Sequence, residues 1–186
     1  MPFLDNEFLR SLKEIFNGLK FNDKEELYNK IVNAPFEYRI ETAHLFLGII
    51  VLLIEDKNEK VINRVALSDT ELARYTTTVS KIPFNDIKVP LDDKSNIIAK
   101  VVRTGKPDKT TDWKYLFTPA LTAEQARINQ AGGGIAYSFV YPLSSKDPRG
   151  ALIFSYYQYP ENISNEHNEF MGSYSEIVSS VLRNNA

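Results

Sequence analysis

The chain has 186 residues, 43% hydrophobic and 25% charged, with a formal net charge of −2 and no cysteine. That length suits one domain with a substantial core, and the composition suits a folded soluble protein rather than a disordered or membrane one. The charge balance offers no attraction for nucleic-acid phosphates or acidic lipid, so neither nucleic acid nor membrane is an expected partner. The missing thiol excludes disulfides, thiolate metal sites, cysteine nucleophiles and thioether-attached pigments. The start Met1-Pro2-Phe3-Leu4-Asp5 lacks a basic region leading into an apolar one, and a cytoplasmic location is expected.

Phe8, Leu9, Leu12, Ile15, Phe16 and Leu19 recur as one helical stripe, with Asp5 or Asn6 available as N-cap, and predict an amphipathic helix. A second helix is expected to start at Asn22, with Glu25 reaching back to the cap, to bury Leu27, Ile31 and Val32, and to end near Asn33 ahead of Pro35. The branched run 43–54 falls short of the roughly 20 residues of a spanning helix and reads as a buried strand. Residues 61–67 follow after a turn-like Asp56-Lys57-Asn58-Glu59 and complete a hairpin. Residues 73–80 are mixed, and 87–91 form a short strand that Pro90 marks as an edge or strand end. Ser95 opens a helix over 97–103, closed by Gly105 in the left-handed region with Pro107 beyond.

Residues 108–118 show no clear periodicity, whereas 122–129 look helical up to Gly132-Gly133-Gly134. Strands over 135–143 and 150–159, joined by the turn-forming 144–148, make a second hairpin. Ser164 caps a closing helix whose stripe runs through Phe170, Met171, Tyr174, Ile177, Val178, Val181 and Leu182. This order predicts one α+β domain over 1–186: a helical segment at 1–35, an antiparallel sheet core at 43–160 with inserted helices, and a closing helix at 164–184. The first and last helices are expected on one face of the sheet.

Three stretches resemble the GAF family, in order along the chain. Ile97-Ile98-Ala99-Lys100-Val101-Val102-Arg103-Thr104-Gly105-Lys106-Pro107, with Asp112 after it, is similar to the family's mid-domain helix and its Thr-Gly-Lys/Glu-Pro turn. Ser138-Phe139-Val140-Tyr141-Pro142-Leu143 resembles the penultimate core strand, and Arg149-Gly150-Ala151-Leu152-Ile153-Phe154 the strand after it. The resemblance implies a GAF-like antiparallel sheet with flanking helices, a small-molecule pocket on one face and a dimerising helical layer on the other. Bilin-binding and methionine sulfoxide-reducing members of the family use cysteines that this chain lacks, so no covalent bilin is expected. The cyclic-nucleotide signature of the family is not found at its expected position.

In the register the loop suggests, Tyr137, Phe139 and Tyr141 share a face with Tyr156, Phe154 and Leu152. That aromatic face is either the wall of a ligand pocket or core between the sheet and its helices. Thr110, Thr111, Asp112, Trp113, Lys114 and Tyr115 lie where the resemblance places a pocket lid, and Arg127 could add a bidentate anion clamp. The same stretch also reads as a surface loop whose Asp112 bonds local backbone and whose Trp113 covers the sheet edge. The ligand-binding candidates are therefore Thr111, Asp112, Trp113, Tyr115, Arg127, Tyr137, Phe139, Tyr141, Phe154 and Tyr156.

His44 and His167 have no metal-ligand spacing, and His167 reads as solvated or locally bonded in the first turn of the closing helix. The expected function is a non-catalytic sensor or regulatory module without a cofactor, binding a small molecule or homodimerising through its terminal helices, and coupled to a histidine kinase or cyclase. Two alternatives stand beside it. One is a small enzyme with Asp112 as base and Tyr137 or Tyr156 as acid; the other is a structural dimerisation domain with an empty pocket.

Overall fold

Among the described residues six strands form one antiparallel sheet: β1 (Leu47–Asp56), β2 (Val61–Leu67), β3 (Lys88–Pro90), β4 (Asp108–Thr110), β5 (Tyr137–Pro142) and β6 (Gly150–Tyr156), in the order β3-β2-β1-β6-β5-β4. The structure is a computed structural model that describes residues 6–144, 149–157 and 160–185. The expected Asp5 cap, most of the 144–148 loop and the strand end at 158–159 lie outside the described residues. Both predicted hairpins form, β1 with β2 and β5 with β6, and β6 returns to pair with β1 at the centre of the sheet. The short β3 ends at Pro90 on one edge of the sheet, as a residue without a backbone donor requires.

Among the described residues eight α-helices flank this sheet: α1 (Asn6–Asn17), α2 (Lys24–Glu37), α3 (Arg39–Leu45), α4 (Glu71–Val79), α5 (Ile97–Thr104), α6 (Lys114–Phe117), α7 (Ala123–Gly132) and α8 (Asn165–Asn184). They divide by face. Phe8, Leu12 and Phe16 of α1, Leu27 and Ile31 of α2, and Phe170, Tyr174 and Val178 of α8 pack on Ile50, Leu52, Phe139, Phe154 and Tyr156. Ala73 of α4, Ile98, Val101 and Val102 of α5, Leu116 of α6 and Ala126 of α7 pack on Val51, Leu53, Val140 and Ile153. The terminal helices therefore share one face, as the stripes predict.

Local chemistry sets most helix ends. Asp23, Thr70, Asn96 and Thr122 accept from backbone N–H groups in the first turns of α2, α4, α5 and α7. Gly105 closes α5 at φ 66°, the left-handed stop expected of it. Four boundaries differ from the sequence reading. The cap of α2 is Asp23 rather than Asn22, whose backbone N–H instead donates to Glu26 at 2.8 Å. The cap of α5 is Asn96, with Ser95 bonded to Asp93. Residues 43–45 belong to α3, which Phe46 ends at φ 57°, because a short apolar run does not separate strand from buried helix. Finally, α2 continues past Pro35 to Glu37.

Tertiary packing accommodates that proline. Pro35 has no N–H to donate to the carbonyl of Ile31 four residues back. The Tyr174 hydroxyl of α8 takes its place, donating to Ile31 O at 2.6 Å inside the core. A helix that should break is thus held by its neighbour on the same face of the sheet.

The β1–β2 ladder carries a bulge. Leu52 pairs with Ala66, but Leu53 pairs with Arg64, leaving Val65 as the extra residue. Ala66 then faces the terminal helices with Leu52, while Ile62 and Arg64 face α4–α7 with Leu53. Without that bulge the alternation would carry 62, 64 and 66 to one side together.

Candidate functional site

The sheet separates the ten candidate residues into two groups of five. Tyr137, Phe139, Tyr141, Phe154 and Tyr156 take the predicted register, with Tyr137 opposite Tyr156 and Phe139 opposite Phe154. Their face lies against α1, α2 and α8. Edge-to-face contacts link Phe139 with Tyr156, Tyr141 with Phe154, and Phe154 with both Phe170 and Tyr174. Of the two readings the sequence leaves open, the packed core is the one the geometry realises. Only Tyr141 is half-buried, and its hydroxyl donates to Asn168 at 3.3 Å.

Thr111, Asp112, Trp113, Tyr115 and Arg127 lie on the opposite side, where β4 runs into α6. Gln130, which the sequence reading did not single out, fixes this stretch: its side chain accepts from Trp113 N–H at 2.8 Å and donates to Thr111 O and Ile135 O. Trp113 is buried, donating from its indole to Ser138 Oγ at 2.8 Å, which in turn bonds Ser155 across the β5–β6 ladder. The indole thus packs into the sheet rather than over its edge. Arg127 directs two N–H groups at one oxygen of Asp112, at 2.9 and 3.1 Å, so its clamp is filled from within the chain. Thr111 and Tyr115 are exposed, with the Lys114 ammonium 4.5 Å from the Tyr115 ring.

The electrostatics oppose acid–base chemistry by the pair that the alternative enzyme reading requires. Burial disfavours ionisation of Asp112, but Arg127 and the Lys114 N–H outweigh it and hold the carboxyl below its ordinary range. Tyr156 is pushed well above its ordinary value by burial and faces the terminal helices. Asp112 and Tyr137 or Tyr156 are therefore not brought into one site, and the carboxylate is already ionised and paired.

His167 is neither solvated nor exposed. Its Nδ1 accepts from the Ser164 backbone N–H at 3.1 Å, which leaves the Nε2 proton to donate to Leu45 O at 2.9 Å. Burial lowers its pKa against the opposing pull of the Leu45 carbonyl and Glu166. Among the described residues no group of three or more His, Cys, Asp or Glu is placed to hold a metal ion. No helix among them is long and apolar enough to cross a membrane.

The polar feature of the α4–α7 face that the sequence reading missed is Arg64. Its guanidinium is buried with its centre 4.0 Å from the Phe84 ring and 4.8 Å from the Phe117 ring, and its Nε has no hydrogen-bond partner. Burial alone pushes its pKa down to about 9, with no acid group countering. Thr76, Thr77, Ser80 and Asn129 complete a small cavity beside it. Its position was legible in part: an arginine two residues after Ile62 stands at an inward phase of the predicted strand. The residues around it come from 12 to 65 positions away and no local pattern joins them.

Close helix packing shapes that cavity. A Cβ at Gly133 would stand 2.3 Å from Thr76 Oγ1, and one at Gly132 would stand 2.6 Å from Val79. The glycines thus serve the approach of α7 to α4, beyond stopping the helix. A wider groove of about 660 Å³ lies elsewhere, between the start of α2, the end of α8 and the ends of β1 and β5, with Tyr28, Ile54, Leu182, Lys24 and Arg183 in its wall. None of the ten candidate residues lines it.

One antiparallel sheet between two helical layers, one layer holding the first and last helices, defines the class: a three-layer α+β domain. No protein-family model matches the sequence, and no curated protein matches it. Solved structures do. The A. aeolicus nlh2 GAF domain in an inactive state is similar over 97% of this chain and 96% of its own, with 11% identity and a TM-score of 0.62. The GAF domain of an Acinetobacter phosphoenolpyruvate-protein phosphotransferase covers 97% and 95%, with 10% identity and a TM-score of 0.61. Residues 122 to 287 of a methyl-accepting chemotaxis protein cover 93% and 95%, with 13% identity and a TM-score of 0.60. By structure the chain is a GAF-like domain.

Proposed function

We propose that this chain is a sensor module of signal transduction that takes a small ligand on the α4–α7 face and acts as a homodimer through α1 and α8. The single observation that supports this reading is the inequality of the two faces. The aromatic residues at the centre of one face are packed under its own helices, whereas the other face holds a small polar cavity beside a buried guanidinium whose Nε lacks a partner. The GAF-like folds of a chemotaxis protein and a phosphotransferase are consistent with signalling. A histidine kinase or cyclase would be a suitable output partner.

The mechanical route is short. β2 carries Arg64 toward α4–α7 and Ala66 toward the terminal helices, on either side of the same bulge. A ligand that moves Arg64 therefore acts on a strand that α2 also packs against, and a two-helix seam converts small shifts into rotation or register changes. On α1, Leu9 and Ile15 remain partly exposed beside the buried Phe8–Leu12–Phe16 stripe and supply a second apolar row. Light scattering tests the assembly: a dimer that Leu9→Lys with Ile15→Lys converts to monomer is expected. A monomer at every concentration would remove signalling through a helical seam. Native mass spectrometry of the purified chain tests ligand retention, and a protein that never holds or takes up a small molecule is instead a structural domain.

A further inference from the structure

Arg64 sits in the core with only 7% of its surface exposed. Phe84 and Phe117 lie within cation–π distance of its guanidinium. Such contacts offset part of the burial cost of a cation, but they do not accept the N–H bonds that lie in the guanidinium plane. Its Nε is unpaired, and the ion pairs of the described residues do not include it.

The groups around it are neutral and supply no ionised acceptor. The hydroxyls of Thr76, Thr77 and Ser80 donate to the carbonyls of Leu72, Ala73 and Ile82, at 3.0, 3.1 and 2.8 Å. Asn129 gives one amide hydrogen to Ser80 Oγ at 3.1 Å, and its Oδ1 accepts from Gln125 at 2.7 Å. The Thr76 and Thr77 hydroxyls have only oxygen lone pairs left, while the Arg64 guanidinium stands without a counter-ion and the second Asn129 N–H is a further donor. The complement of such a set is an oxyanion, and the planar fork of a guanidinium fits a carboxylate best. The space beside it is about 10 Å³, close to the room of a single water.

We propose that Arg64 is the anion-recognising group of the α4–α7 face and binds the carboxylate of a small organic acid, with the Asn129 side-chain amide as second donor. The assignment rests on the reading of this face as the ligand face. It differs from the wide groove at the far end of the molecule, whose Lys24 and Arg183 sit at the surface.

Sodium acetate, with sodium chloride at equal ionic strength as control, is the probe, and the Arg64 Nε–Hε and Asn129 side-chain amide signals in nitrogen-15 NMR are the readout. A saturable acetate-specific shift of both signals is expected. At roughly tenfold excess over Kd, linkage raises Tm by about 3–6 °C. In Arg64→Met the acetate-dependent rise disappears, while the acetate-free protein melts no lower than the original. If Arg64→Met does not fold, the titration of the unmodified chain decides alone. Shifts confined to Lys24 and Arg183, an identical response to chloride, or no saturable shift at Arg64 would each overturn the assignment. Failure here is distinct from failure of the sensor reading. A retained neutral ligand would keep that reading and sink the carboxylate, whereas acetate bound at Arg64 with α1 and α8 signals unmoved would uphold the site and remove the sensing.

Discussion

The two faces of the sheet each bury an apolar cluster and solve opposite problems. Toward α1, α2 and α8 the core is aromatic, and its polar atoms are chiefly tyrosine hydroxyls, one of which, on Tyr174, mends the helix that Pro35 interrupts. Toward α4–α7 the core is built from smaller aliphatic residues and carries a buried arginine, a Gln125–Asn129–Ser80 chain and a glycine-mediated helix contact. Polar burial is costly unless hydrogen-bonded. Both faces leave atoms without such a bond, the Tyr156 hydroxyl and Ser175 Oγ on the side of the terminal helices and the Nε of a charged guanidinium, Arg64, on the other.

The largest test of this contrast is Phe154→Ala, which empties the centre of the aromatic face. It is expected to cost about 3–5 kcal/mol by urea unfolding, and a loss under 1 kcal/mol would show that this face is not the stabilising one. A pair of tyrosine variants sharpens the point. Tyr174→Phe leaves the Ile31 carbonyl without its donor and is expected to cost about 1–3 kcal/mol. Tyr156→Phe removes a buried hydroxyl that has no partner and is expected to be neutral or slightly stabilising. Equal costs for the two would break the distinction between a mending hydroxyl and an orphaned one.

On the other face the sign reverses. Arg64→Met replaces an unpaired buried cation by an apolar chain of similar length and is expected to stabilise the ligand-free protein by on the order of 1 kcal/mol. Clear destabilisation in thermal melts would make Arg64 a structural residue held by its rings. The smallest effect comes from pH. Burial holds the folded His167 below its ordinary value of 6.5, so the unfolded chain binds the proton first. Its contribution is complete above pH 6.5 and is lost as pH falls from there through the folded pKa. His167→Gln should flatten that part of the stability profile, measured by urea melts in half-unit steps; an unchanged slope would mean that another group carries it.

Much of the fold is legible in the residues. The Tyr137–Tyr156 and Phe139–Phe154 pairs, the Gly105 stop and the edge position of Pro90 all appear as the sequence predicts. Each depends on local chemistry: period-two alternation across a short loop, a left-handed cap and a missing donor. Residues 71–79 gave no usable pattern yet form α4, because Thr70 caps it and the packing of α7 supports it. The candidate site was legible in fewer parts. The ten residues include none of the Arg64 cavity, and the loop that seemed most polar turns out to be joined internally through Asp112–Arg127 and Gln130.

Alternation along a strand determines which side chains stand together, and by itself the sequence determined that much: two hairpins, amphipathic terminal helices, and an aromatic group on one side of β5 and β6. It does not say which helical layer that side will meet. Only the tertiary structure decided that the aromatic side lies under α1, α2 and α8, because that choice depends on how distant helices dock. It also decided, through one extra residue at Val65, that Arg64 and Ala66 turn to opposite faces, and that Arg64 is buried toward α4–α7 with its Nε unpaired. A bulge depends on the register of two strands, and no single strand encodes it.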